Sequence, residues 1–175
     1  AYGVAALGSN TTGDRSVAIG TCALLSNTTG CRTTAVGHLA SRDQTTGHRN
    51  TSVGYGAGKK TTTGYCNTAV GVYALCLNTT GYRNVSIGLK TMWKNTTGYH
   101  NTASGYKALR DNTTGISNSG SGYGALAANT TASNNVALGF YALDTTTTGG
   151  VNVAIGYAAM DGNTTGASNV AVGAH

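Results

Sequence analysis

A chain of 175 residues is long enough for one ordinary domain. With 27 glycines, no proline, one Phe, one Trp and only 9% charged residues, its composition excludes an ordinary bulky core and argues against charge-driven disorder. The formal charge of +6 is uneven: residues 1–110 hold all 11 cations and two Asp, net +9, whereas residues 111–175 hold only Asp111, Asp144 and Asp161, net −3, so the basic half suits an anionic surface or polymer, or simply forms a solvated face.

From its first residues the chain repeats one phrase. A strand-ending glycine falls at Gly3, Gly20, Gly37, Gly54, Gly71, Gly88, Gly105, Gly122, Gly139, Gly156 and Gly173. The glycine of TTG falls at Gly13, Gly30, Gly47, Gly64, Gly81, Gly98, Gly115, Gly149 and Gly166, with Ala132 once in its place. Both series step by 17 without one insertion, and the unit reads N-T-T-G-x-x-N-V-A-I-G-Y-x-A-L-x-x. A fixed path length is what stacked coils require, because one added residue would break the stacking.

Short, β-branched, glycine-flanked segments such as Asn84–Gly88, Asn135–Gly139 and Asn152–Gly156 predict one strand per coil, and "YxAL" a second. NTTG and G-Y supply the corners. The expected fold is all-β: a parallel β-solenoid of about ten 17-residue coils, one repeat domain over residues 1–175, about 48 Å long at ~4.8 Å per rung. Both ends enter the pattern mid-phrase, so the coils are expected to be uncapped and to belong to a longer fibre or end-to-end filament.

Alternation along each strand separates two faces. The pairs Val17/Ile19, Val85/Ile87, Val136/Leu138, Val153/Ile155 and Val170/Val172 are expected inside, with Ser104 and Ser121 as soft points. The small-residue ladder Ala18, Ala35, Ser52, Ala69, Ser86, Ala103, Gly120, Ala137, Ala154 and Ala171 is expected outside, closely approached by another copy of the chain. This makes the protein a homo-oligomer, with Ala18, Ala35, Ala69, Ala103, Ala137, Ala154 and Ala171 at the contact. Asn recurs before the strand at 50, 67, 84, 101, 118, 135, 152 and 169 and should hydrogen-bond along the axis. The Ala-Leu pairs complete the core, and Ser41 and Gly58 in place of Leu predict softer packing.

Several residue sets are candidate sites. Asn10, Asn27, Asn50, Asn78, Asn84, Asn95, Asn112, Asn129 and Asn163 stand in N-x-S/T sequons, which read either as glycosylation acceptors or as turn chemistry. Tyr65, Tyr82 and Tyr99 share one offset, and Arg15, Arg32, Arg49 and Arg83 share the next. With Trp93 they form an aromatic and basic stripe suited to sugar or an anionic polymer. Paired threonines suggest ice, but adjacent strand residues point to opposite faces. Cys22, Cys31, Cys66 and Cys76 lack CxxC spacing, and free thiols and interchain bridges both stay open. His38, His48, His100 and His175 share no offset, so no His ladder binds metal. No catalytic constellation emerges, so neither an enzyme nor a cofactor is expected. No run of 18 apolar residues suggests a membrane span.

The segments Arg15–Leu24 (RSVAIGTCAL) and Asn134–Leu143 (NNVALGFYAL), with the recurrent NVAIGYxAL phrase, resemble the repeats of YadA-like trimeric adhesin heads and the NTTG…NVAIGYxAL arrays of phage and virus tail-fibre proteins. The resemblance covers the whole chain. It implies a left-handed β-roll, three chains around one axis, and a structural or adhesive role on an extracellular, cell-surface or virion fibre. The partners implied are the chain itself and a surface glycan or receptor, not nucleic acid. The alternative function is a ligand-binding solenoid recognising glycan, or less readily ice, along a side ladder.

Overall fold

The computed structural model describes residues 1–174; His175 lies outside the described residues. Ten three-residue strands follow at the sequence period: β1 (Val17–Ile19), β2 (Thr34–Val36), β3 (Thr51–Val53), β4 (Thr68–Val70), β5 (Val85–Ile87), β6 (Thr102–Ser104), β7 (Ser119–Ser121), β8 (Val136–Leu138), β9 (Val153–Ile155) and β10 (Val170–Val172). They form one sheet in chain order, every neighbour parallel, with each residue paired to the one a full coil away, as in Ala18 with Ala35. The fold is a β-solenoid, and no described residue is helical.

The two strand faces are reversed from expectation. Ala18, Ala35, Ala69, Ala103, Ala137 and Ala154 are 0–1% exposed and line the interior, while Val17, Ile19, Val136 and Leu138 are 40–50% exposed. Ala171 is half-buried in the last described strand. None of these alanines is an outer contact. The reason is volume. Each strand faces a wall of buried Ala (Ala74, Ala108, Ala125, Ala142) and Leu or Met (Leu75, Met92, Leu109, Leu126, Leu143), and so thin a lumen accepts only small side chains from the strand. Val and Ile at the flanking positions must point outward. Ser104 and Ser121 therefore sit on the outer face and do not soften the core.

The apolar core is broken where Ser41 and Gly58 replace Leu. One cluster runs from Ala18 to Ala40 and another from Ala57 to Ala159. Between them lies a buried polar contact, Ser41 Oγ to Ser52 Oγ at 2.8 Å.

The expected second strand is absent. The stretch after each strand glycine is a turn in which alternate residues are left-handed: φ is +54° at Lys90 and +45° at Met92. A third left-handed residue, such as Arg83 at +53°, precedes the strand. Each such non-glycine residue costs about 1–2 kcal/mol, offset here by bonding to both neighbouring coils. Lys90 N donates to Val72 O of the coil before, and Met92 N to Ala108 O of the coil after, each at 3.0 Å.

Two amide ladders run through the buried interior. Asn84 Nδ2 donates to Gly98 O (2.9 Å) and Asn67 Oδ1 (3.2 Å), and its backbone N donates to Asn67 Oδ1 (3.0 Å). In the corner ladder, Asn95 Nδ2 donates to Asn78 Oδ1 (2.7 Å) and Gly98 O (3.0 Å). Where Thr33 interrupts the first ladder, the corner residue is Gln44, one carbon longer. Gln44 Nε2 reaches Thr33 Oγ1 at 3.1 Å, and its Oε1 accepts from Asn50 Nδ2 at 3.0 Å. The corner itself is held by one carbonyl. Thr96 O accepts from Thr79 N, Thr80 N, Gly81 N and Thr79 Oγ1, all within 3.2 Å. A Cβ at Gly81 would lie 2.4 Å from Gly98 O, which explains the glycine.

Candidate functional site: side ladders and a basic cleft

The amide ladders settle where the sequon asparagines lie. Asn27, Asn50, Asn78, Asn84, Asn95, Asn112 and Asn129 are at most 2% exposed, and the Nδ2 that a glycan would occupy is hydrogen-bonded inside the coil. A glycan at any of these seven is incompatible with the fold. Asn10 is exposed and Asn163 half-buried, each at an outermost corner. The second threonine of every corner, from Thr12 to Thr165, is exposed.

The tyrosine stripe forms as a stack and is longer than its three tyrosines. His48 lies on Tyr65 at 5.2 Å between ring centroids, Tyr65 on Tyr82 at 4.9 Å, and Tyr82 on Tyr99 at 4.6 Å, all within 7° of parallel. Burial within the stack pushes the Tyr82 phenol above its ordinary value, with Tyr99 and Tyr65 adding and Arg83 opposing. Arg83 sits 5.9 Å over the Tyr82 ring and 3.3 Å from His100 Nε2. Arg15, Arg32 and Arg49 are exposed on earlier rungs, and Arg15 lies 3.6 Å from Asp14.

A second aromatic ladder escaped sequence reasoning. It begins at the residue after each strand glycine: Tyr106, Tyr123, Phe140 and Tyr157 follow one another at 4.8, 4.9 and 5.5 Å. Tyr141 meets Tyr123 edge-on at 5.2 Å, and hydrogen bonding to Tyr123 raises its phenol. The signal was present in the sequence, because the same step of 17 links these positions.

Trp93 lies in a cleft of about 260 Å³ lined by Lys90, Lys94, Lys107, Arg110 and Asp111. Lys94 Nζ is 2.9 Å from Asp111 Oδ1, and Arg110 Nη2 bonds Asp111 Oδ2. Burial alone would raise the Asp111 carboxyl, but the Arg110 and Lys94 contacts outweigh it and hold the group below its ordinary value. Lys90 and Lys94 approach the Trp93 ring at 5.6 and 6.0 Å, and Lys107 the Tyr106 ring at 4.9 Å. Sequence reading singled out Trp93 but none of its cationic neighbours, which come from two coils and, apart from Lys90 and Lys107, from different offsets.

A second hollow, of about 270 Å³ and edged by Thr102, interrupts the outer sheet face where Ser104, Ser119 and Ser121 replace larger residues. No disulfide joins Cys22, Cys31, Cys66 and Cys76 within the chain. Among the described residues, no group of three or more His, Cys, Asp or Glu is placed to hold a metal, and no helix is long and apolar enough to cross a membrane.

These features define the class: a parallel β-solenoid with an apolar outer sheet, stacked aromatic ladders and one basic cleft. No protein-family profile, curated protein or solved structure matches the chain.

Proposed function

We propose that the chain is a structural and adhesive segment of an extracellular fibre, in which copies associate through the outer sheet face. The observation that carries this reading is that face. Val17, Ile19, Ile87, Val136, Leu138 and Ile155 are 38–50% exposed on one sheet. Their outer row is apolar from Ile19 to Ile87 and again from Leu138 to Val172, and exposed apolar rows of this kind mark a protein contact. The polar break at Ser104 and Ser121 gives such a contact a register. In copies aligned rung to rung, these serines meet serines; in shifted copies they meet Val or Leu and lose solvation. The resemblance to trimeric adhesin heads and tail fibres favours three copies and a cell-surface or virion setting.

Sedimentation velocity tests the reading. The parent chain is expected to be a homo-oligomer, and Val53→Lys with Val70→Lys, both pointing outward, is expected to yield a monomer with the same β circular dichroism. A parent chain that sediments as a monomer overturns it.

A second reading, sugar recognition along a side ladder, is favoured by the His48–Tyr65–Tyr82–Tyr99 stack, whose rings present a continuous aromatic edge beside Arg83. A glycan array with the parent chain and Tyr82→Ala separates it from a purely structural role.

A further inference from the structure

The cleft around Trp93 has a charge arrangement that the fold does not need. Lys94 and Arg110 are spent on Asp111. Lys90 and Lys107 are not: they occupy the same ladder position on successive coils, about 4.8 Å apart along the axis, and neither has an acidic partner among the described residues. Both also hold left-handed backbone, φ +54° and +57°, where most side chains are disfavoured. Elsewhere this ladder carries Ala5, Cys22, Leu39, Gly56, Tyr73, Gly124, Tyr141 and Ala158, so the stacked lysines are peculiar to the cleft. Two neighbouring ammonium groups repel unless an anion lies between them.

We propose that this cleft binds one carboxylated or sulfated sugar residue of a polysaccharide. The anionic group sits between Lys90 and Lys107 and draws the Lys90 ammonium away from the Trp93 ring, which it approaches at 5.6 Å, and the half-buried indole then offers a flat apolar surface to the sugar ring. The volume, about 260 Å³, suits a single ring, while the open mouth lets the polymer continue on either side. The aromatic content of the ladder favours a sugar over a nucleic acid. On the Trp93 ladder the next coils toward the N-terminus offer Cys76, Lys59 and Arg42, and toward the C-terminus Arg110 is followed by Ala127, Asp144 and Asp161. A nucleic-acid strand needs aromatic platforms for successive bases along a basic track, and from Arg42 to Asp161 this ladder carries one aromatic side chain, Trp93. The site lies on one chain, so the inference stands whether or not the fibre reading does.

Trp93 is the single tryptophan among ten tyrosines, so fluorescence excited at the red edge, where tyrosine does not absorb, reports this cleft alone. The parent chain is titrated at fixed moderate salt with a heparin-derived disaccharide, with trigalacturonate, with neutral cellotriose, with inorganic sulfate and with a single-stranded DNA oligonucleotide. The expected result is a saturable change with the sulfated or the carboxylated sugar, whichever binds naming the anionic group. Cellotriose and sulfate should bind at least about tenfold more weakly, and Lys90→Gln and Lys107→Gln should each weaken the sugar about tenfold. Lys60→Gln, an exposed cation two coils from Lys94, should leave the disaccharide titration unchanged. The proposal is overturned by no saturable change with either anionic sugar, by sulfate or DNA binding as tightly as the sugar, or by lysine variants that bind like the parent while keeping its circular dichroism.

Discussion

At the scale of single residues, the molecule is governed by whether each buried polar atom meets its partner on the next rung. The corner amide ladder is interrupted at Thr61 and Thr146; Asn50 supplies the missing donor to Gln44 before the first gap, and nothing does so before the second. Asn129 Oδ1 is buried without a hydrogen bond because the next corner residue is Thr146, which carries no amide. Thr146→Asn should place Nδ2 against Asn129 Oδ1, as Asn129 Nδ2 already bonds Asn112 Oδ1 at 2.7 Å. A gain of about 1 kcal/mol is expected, read as a raised midpoint in urea unfolding; an unchanged or lowered midpoint contradicts the account. Charges obey the same rule. Asp144 Oδ1 is buried without a partner, and burial first, then Asp161 one rung away, raises its carboxyl above the ordinary 3.8. A raised folded value means that ionisation disfavours the fold: the cost is absent below pH 3.8 and complete once pH exceeds the folded value. Asp144→Asn should therefore raise the melting temperature at pH 7 and leave it little changed at pH 3. Asp111 has the opposite sign, stabilising at neutral pH and losing that contribution as pH falls through its lowered folded value.

At the scale of the coil, the strands, their parallel order and the asparagine ladder were legible because each follows from the fixed step of 17 and from alternation. Alternation alone does not say which face is inside. That was decided by lumen width, a three-dimensional quantity on which apolar character misleads: Ala18 is inside because it is small, and Ile19 outside because it is not. The left-handed turn was hidden for a related reason. Positive φ normally announces itself as glycine, but here Leu24, Leu75 and Leu109 take it, because the side chain is needed to fill the lumen. Two substitutions separate the two orientations of the strand. Ala103→Leu, directed inward, should destabilise by about 1–3 kcal/mol through overpacking; an outward Ala103 would tolerate it. Gly120→Ala should stabilise by roughly 0.5–1 kcal/mol, since an added Cβ would sit 3.3 Å from Ala125 O and 3.6 Å from Leu109 Cγ, in the space that Ala103 and Ala137 already use on adjacent rungs. Thermal melts of both variants decide the matter.

At the scale of the whole molecule, strand pairing joins each coil only to the coil one step away, so stability is a sum of terms within coils and between nearest neighbours rather than of one closed core. The length of the coil is therefore constrained and the number of coils is not. Excising Asn112–Ala128 joins Asp111 to Asn129 and removes one complete period of 17. Ala125, Leu126 and Gly120 leave together, and their neighbours meet equivalent residues of the next coil. This variant should fold with the same circular dichroism, be about 4.8 Å shorter, and melt only slightly lower. Excising 113–128 instead removes 16 residues and shifts every later rung by one position. Ala137 would then face outward, Val136 or Leu138 would turn into the narrow lumen, and both amide ladders would lose their acceptors at the junction. Protease digestion distinguishes the outcomes: the 17-residue excision should resist cleavage like the parent, whereas the 16-residue excision should be cut at the junction. Equal resistance would mean that the coils are not coupled through their register, and the solenoid's stability would need another source.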